Sequence, residues 1–197
     1  MSVDTLCRTL LECEADAVTR LMAFMSYNPS IGRVLEKDGV KKFETIALRL
    51  VGRLHAVQTQ PQFDRLHARS VHAIVTKLRT SRGKKVSYGQ AAKPINVFLK
   101  VYVDWAGSPG RAVRLRLLPF LHVPLDSVLM QEIRHDAPDW YQKEIAPSLK
   151  NKANRYSLTH IDRRLYWRWQ TYFRTRWPRK PLLFDIAWAM HRDGLGS

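Results

Sequence analysis

Residues 89–130 read GQAAKPINVFLKVYVDWAGSPGRAVRLRLLPFLHVPLDSVLM, and the fold class turns on them. A lysine-bearing apolar run, KPINVFLK, spans Lys93 to Lys100. Gly107-Ser108-Pro109-Gly110 follows as the strongest breaker cluster in the chain. A second apolar run, LPFLHVPLD, goes from Leu118 to a lone acid at Asp126. In the first run Ile95, Phe98, Leu99, Tyr102 and Val103 recur at helical spacing, which predicts a buried helix face. Its start admits two readings. Ser87 with Gln90 three residues later fits a capping box; Pro94 fits a first helical position, since the residue before proline avoids the α region. Either start puts Lys93 within the first two turns and Lys100 about two turns further on, on much the same side. In the second run, residues 112–118 read as a short basic helix with Arg111, Arg114 and Arg116 around it. Pro119 and Pro124 bracket an extended link over residues 120–123, and Asp126 falls in the first turn of a helix over residues 125–133.

Upstream, the pattern is helical throughout. Residues 4–25 carry Leu6, Leu10, Leu11, Ala17, Val18, Leu21, Met22 and Met25 near a 3.6-residue period, and Asn28-Pro29-Ser30 is expected to stop that helix. Phe43, Ile46, Ala47, Leu50, Val51, Leu54 and Val57 make a second core face from Gly39 on. After a polar break around Pro61, Phe63, Leu66, Val71, Ile74, Val75 and Leu78 make a third. Residues 79–85 (RTSRGKK) form a basic glycine-bearing loop that is either a phosphate contact through Arg82, Lys84 and Lys85 or a solvated turn. Downstream, residues 143–180 hold eleven Lys and Arg against Glu144 and Asp162, interleaved with aromatic rings. Within that part Arg163, Arg164 and Arg168 are candidate contacts to a nucleic-acid backbone, and Trp167, Trp177 and Trp188 are expected in the core. No strand-like alternation and no repeat is visible, so the fold class is all-α: a single domain over residues 1–197 with two helical lobes, a central segment at about 87–133 and a basic aromatic part at about 140–190.

The totals narrow the partners. A chain of 197 residues with 45% hydrophobic content can build a core. A net charge of +16 points to a polyanion, with nucleic acid first. No stretch approaches the roughly 20 apolar residues a membrane span needs, and Asp4, Glu12 and Glu14 interrupt any signal peptide. Cys7 and Cys13 alone make neither a disulfide framework nor a zinc site, and the seven histidines show no metal-ligand spacing. The expectations are no cofactor, no metal, and a monomer in the cytoplasm at the nucleoid. No P-loop, dinucleotide fingerprint, HExxH or GxSxG occurs.

Lys93 and Asp126 are the residues whose chemistry matters most. An amine that attacks a sugar carbon must be uncharged, which asks for desolvation and nearby cations, here Lys100, Lys84 and Lys85. A carboxylate at a helix N-terminus stays ionised and can stabilise a cationic sugar or accept the amine's proton. The plain alternative is that Asp126 only caps a helix and Lys93 is solvated. KPINVFLK followed by FLHVPLD resembles the helix-hairpin-helix DNA glycosylase superfamily, closest to its archaeal 8-oxoguanine branch, over about a fifth of the chain. That hairpin is degenerate here: only Gly89 remains of its glycine pattern, and Pro94 directly follows the candidate nucleophile. The resemblance implies a two-lobed glycosylase that flips a base out of double-stranded DNA. Lys93 would be the Schiff-base nucleophile, with Lys100 as runner-up, and Asp126 its supporting carboxylate. Gln90, Asn96, His122, Asp139, Trp140 and Tyr141 are candidates for the base pocket, and Lys100 doubles as a backbone contact. The substrate would be an oxidised guanine or a phage-type modified base. The alternatives are a non-catalytic basic DNA- or RNA-binding protein and a basic module of a larger complex.

Overall fold

The structure, a computed structural model, describes residues 13–36, 38–149 and 156–192. It is all-α. Among the described residues the only β features are the isolated bridges Leu35–Thr80 and Arg79–Lys85. The chain order is α1 (Glu14–Ile31), α2 (Gly39–Val51), a 3-10 turn (Leu54–Ala56), α3 (Gln60–Lys77), α4 (Tyr88–Leu99) running into a π-helical turn (Lys100–Trp105), and α5 (Arg111–Leu117) with a 3-10 turn (Leu118–Phe120). Then come α6 (Ser127–Asp136), α7 (Pro138–Trp140, a π turn at Tyr141–Ile145, then Ala146–Leu149), a 3-10 turn (Leu158–His160), α8 (Arg163–Arg176) and α9 (Leu183–Arg192).

The stretch that opens the sequence reading holds the centre. α4 is buried on nearly every side, through Gly89, Gln90, Ala91, Ala92, Pro94, Ile95, Asn96, Phe98 and Leu99. A helix apolar all round belongs inside a protein. Packed around it are α1, α3, α8 and the Leu158–His160 turn. The capping box decides where it starts: Ser87 Oγ accepts from Gln90 N at 3.2 Å, and Gln90 Oε1 accepts from Ser87 N at 3.0 Å. Pro94 therefore lies inside the helix, and burial rather than propensity keeps it there. The N-terminus of α4 touches its neighbour with no room to spare. Gly89 N donates to Ile161 O at 2.9 Å, and a Cβ at Gly89 would stand 2.6 Å from Ile161 Cβ and 2.8 Å from Leu158 O.

α1 departs from expectation in two ways. It runs through Pro29 to Ile31, because Tyr27 and Ile31 are both buried and anchor it on either side of the proline. Its buried stripe is Thr19, Ala23, Ser26, Tyr27 and Ile31, while Val18, Leu21 and Met25 face outward. Small residues let α1 lie close to α2 and α4, with Tyr27 against Phe43 at 5.5 Å. The part of that reading at residues 4–12, with Cys7, lies outside the described residues. α2 and α3 bury the faces their spacing predicts, and Pro61 sits at the start of α3 behind a Thr59–Gln62 capping box.

In the basic aromatic part, Trp169 is the fully buried tryptophan, beside Tyr166 and Phe173 on α8. Trp177 is half exposed, while Trp167 and Trp188 pack partly buried against the core. The buried Asp104 at the end of the π turn takes Lys180 at 2.9 Å and Arg114 at 3.3 Å, which ties α5 and the chain after α8 to α4.

Candidate functional site

Lys93 and Asp126, thirty-three positions apart in sequence, line one cleft of about 440 Å³. Ser30, Ile31 and Val34 form one wall of it; Gln90 and Lys93 come from α4, and Tyr156, Leu158 and Thr159 close another side. Lys93 is half-buried and makes no hydrogen bond or ion pair with any described residue. Asp126 is the N-cap of α6: its carboxylate accepts from Leu129 N at 2.9 Å and Val128 N at 3.1 Å. One carboxylate oxygen thus satisfies the helix start. Gln90 is also at the cleft, with its side chain engaged in the α4 capping box.

The other expected site residues lie elsewhere. Lys100 is bound to Asp185 on α9 at 2.6 Å and stands 4.7 Å over the Trp105 ring, so it neither reaches the Lys93 cleft nor lies free for a backbone contact. The seven-residue spacing keeps Lys100 on much the same side of α4 as Lys93 but sets it about 10 Å further along the axis. Lys84, Lys85 and Arg82 are exposed on their loop and do not line the cleft. Asp139 is exposed, Trp140 packs edge-on against Trp169 at 5.1 Å, and Tyr141 is buried; none of the three lines the cleft. Arg163 and Arg164 are exposed at the start of α8, and Arg168 donates to the Glu144 carbonyl.

Asn96 and His122, each 1% exposed, belong to the core. They are two links of a buried polar chain. His67 Nε2 donates to Asn96 Oδ1 at 2.7 Å. Asn96 Nδ2 donates to Tyr166 OH at 2.9 Å and to Val123 O at 3.2 Å. Tyr166 OH and His122 Nδ1 are hydrogen-bonded at 2.7 Å, and His122 Nε2 pairs with Asp64 Oδ1 at 3.1 Å. Arg174 closes the chain with two bonds to Asp64, at 2.6 and 3.0 Å, and also abuts His122 Nε2. Gln170 clasps the link beside it, accepting from Val123 N and donating to Val123 O, both at 2.9 Å. Four segments meet here: α3, α4, α8 and the extended link at residues 121–126. The chain's structural effect is to fix that link, and so to deliver Asp126 to the cleft.

Electrostatics match this assignment. Burial pushes the His122 pKa down to about 4, against the hydrogen bond to Asp64, which favours its charged form. Burial also drives His67 well below its ordinary range. Burial opposes the Asp64 charge, but the hydrogen bonds from His122 and Arg174 win and hold the carboxyl well below the usual range. Both histidines are therefore neutral at pH 7. Acid destabilises this arrangement, because the unfolded chain takes up protons that the folded histidines refuse. Moving one histidine from 6.5 to about 4 is worth about 3 kcal/mol. Stability is expected to hold above pH 6.5 and to fall by several kcal/mol on going to pH 4, which urea unfolding followed by tryptophan fluorescence measures. A flat profile across that window would mean the two rings are not buried neutral.

Sequence reasoning gave no role to Asp64, His67, Tyr166 or Gln170, whose partners are distant in the chain. Nor did it see a second cleft, of about 580 Å³, between α3 and α8. Asp64, Arg65, Ala68, Arg69, His72 and Val75 of α3 line it, with Tyr88, Arg163 and Trp167 opposite. The recurrence of Arg65, Arg69 and His72 at helical spacing was its sequence signal. Among the described residues no group of His, Cys, Asp and Glu could hold a metal ion, and no helix is long and apolar enough to cross a membrane. No family model, no curated protein sequence and no solved structure matches the chain.

Proposed function

We propose that the chain is a DNA glycosylase that removes a damaged or modified base through a lysine Schiff base. One observation carries this reading: a half-buried lysine with no ion-pair partner among the described residues and a helix-capping carboxylate line a single cleft on a strongly basic protein. The like-charge help expected from Lys100, Lys84 and Lys85 plays no part, because none of them lines the cleft.

In the reaction, a flipped nucleotide enters the Lys93 cleft, since its sugar carbon is out of reach within the duplex. Asp126 accepts the proton of the attacking amine and stabilises positive charge building on the sugar. The Lys93 nitrogen bonds to C1′, and the glycosidic bond breaks with its electron pair leaving on the base, which takes up a proton. Opening of the sugar ring gives an imine between Lys93 and C1′. Loss of a C2′ proton from that imine expels the 3′ phosphate and nicks the strand.

Borohydride reduces that imine and traps the protein on DNA. Incubation with duplexes carrying oxidised guanine, and with DNA whose cytosines are modified, is expected to give an adduct that Lys93→Gln abolishes and Lys100→Gln keeps. Absence of an adduct and of abasic product on every DNA would remove the enzyme reading. The chain would then stand as a non-catalytic nucleic-acid-binding protein, which the arginine-lined cleft between α3 and α8 also accommodates.

A further inference from the structure

The cleft between α3 and α8 has no part in that chemistry, yet its composition is unusual. Arg65 and Arg69 stand four residues apart on α3, and Arg163 faces them from the start of α8. All three are exposed, and none makes a hydrogen bond or ion pair with a described residue. Like charges at that spacing oppose one another on a helix. The one carboxylate lining the cleft, Asp64, is already taken by Arg174 and His122. Three guanidiniums are thus left uncompensated around one concavity.

The rest of the lining is aromatic and small. Trp167 is partly buried and Tyr88 stands close by, while Ala68 leaves open space between the two arginines of α3. The Tyr88 hydroxyl is shut off from solvent and finds no hydrogen-bond partner among the described residues. Planar guanidinium forks match phosphate oxygens, and a ring face matches any base. We propose that this cleft binds an unpaired nucleotide of a nucleic-acid strand, with backbone phosphates on Arg65, Arg69 and Arg163 and the base against Trp167.

A path connects it to the Lys93 cleft. A third depression shares Tyr88 and Arg163 with the arginine cleft and Thr159 with the lysine cleft. The three run around the N-terminus of α4, so a strand offering one nucleotide to Lys93 carries its neighbours toward the arginines. The site goes beyond the glycosylase reading and stands whether or not Lys93 reacts.

The test is fluorescence anisotropy on the full chain with a fluorescein-labelled single-stranded DNA of about 12 nucleotides, its RNA counterpart and its DNA duplex, over a salt series. Arg65→Gln/Arg69→Gln/Arg163→Gln is compared with Arg53→Gln/Arg111→Gln/Arg176→Gln, which removes the same charge from exposed positions elsewhere. The cleft variant is expected to bind single strands at least about tenfold more weakly, with the salt slope reduced by about 2 for three lost phosphate contacts. The control variant is expected to stay within about twofold of the unmodified chain. RNA bound in the same cleft-dependent way supports the site equally, because the phosphate and base chemistry is shared. Equal losses in the two variants, or tighter binding of duplex that ignores the cleft, overturn it. Cleft-dependent binding by a chain that traps no DNA removes the glycosylase reading and keeps the cleft; trapping with no dependence on the arginines does the reverse.

Discussion

Asp126→Asn is expected to slow base release by about 10²–10³-fold while the fold stays intact. Asp126 has two roles that this substitution separates. As an N-cap it accepts from Leu129 N and Val128 N, and asparagine caps about as well as aspartate. In the proposed reaction its carboxylate takes the amine's proton and faces the developing charge on the sugar, which an amide cannot do. Stability is therefore expected within about 1 kcal/mol of the unmodified chain, the residue of difference being the lost helix-dipole attraction. Asp126→Ala is expected to lose the cap as well, at about 1 kcal/mol. Single-turnover base release alongside urea unfolding reads the two effects separately. If Asp126→Asn releases base at the unmodified rate, Asp126 is a cap and nothing more, whatever Lys93 does.

The second large effect concerns Arg174. Arg174→Met is expected to destabilise the fold by about 3 kcal/mol, because it leaves the Asp64 charge inside with no cation, only the neutral His122 and Gln60, to answer it. It also removes the guanidinium stacked 5.5 Å over Trp167. Combining it with Asp64→Asn removes the stranded charge, and at least half of the lost stability is expected to return. Both side chains keep about a fifth of their surface in solvent, which places the expectation at the low end for a buried pair. A single variant within 1 kcal/mol of the unmodified chain would show that the pair does not hold the link.

What the sequence made legible follows the reach of each signal. The helical class, the buried face of α4 and the capping of α6 by Asp126 are set by residues within four positions of one another, and these were readable. The Ser87–Gln90 box was readable too, and it prevails over Pro94 because the apolar packing of the buried helix outweighs the hydrogen bond that Pro94 removes. The face of α1 was misread because small residues there, Ala23 and Ser26, lie against α2 and α4 more closely than Leu21 or Met25 could. Periodicity names an apolar stripe without saying which stripe has a neighbour. Asn96 and His122 were pocket candidates only through the resemblance, and local sequence could not show where they lie. Their partners lie 29 residues away for Asn96–His67 and 58 for His122–Asp64, and only the fold brings these together. Trp169 in place of Trp167 as the core tryptophan of α8 is a two-position shift that one aromatic-rich helix cannot resolve by pattern.

The tight seat of Gly89 bears on selectivity. The turn at residues 158–161 supplies Leu158 and Thr159 to the Lys93 cleft and is bolted to α4 by the Gly89 and Ser87 bonds, the latter with Ser87 Oγ donating to Leu158 O at 2.7 Å. That wall has no slack in which to adapt to a guest. Whatever occupies the cleft meets a surface already ordered, so little conformational entropy is lost there on binding. The same close seat limits how far Leu158 and Thr159 can move aside for a wide group.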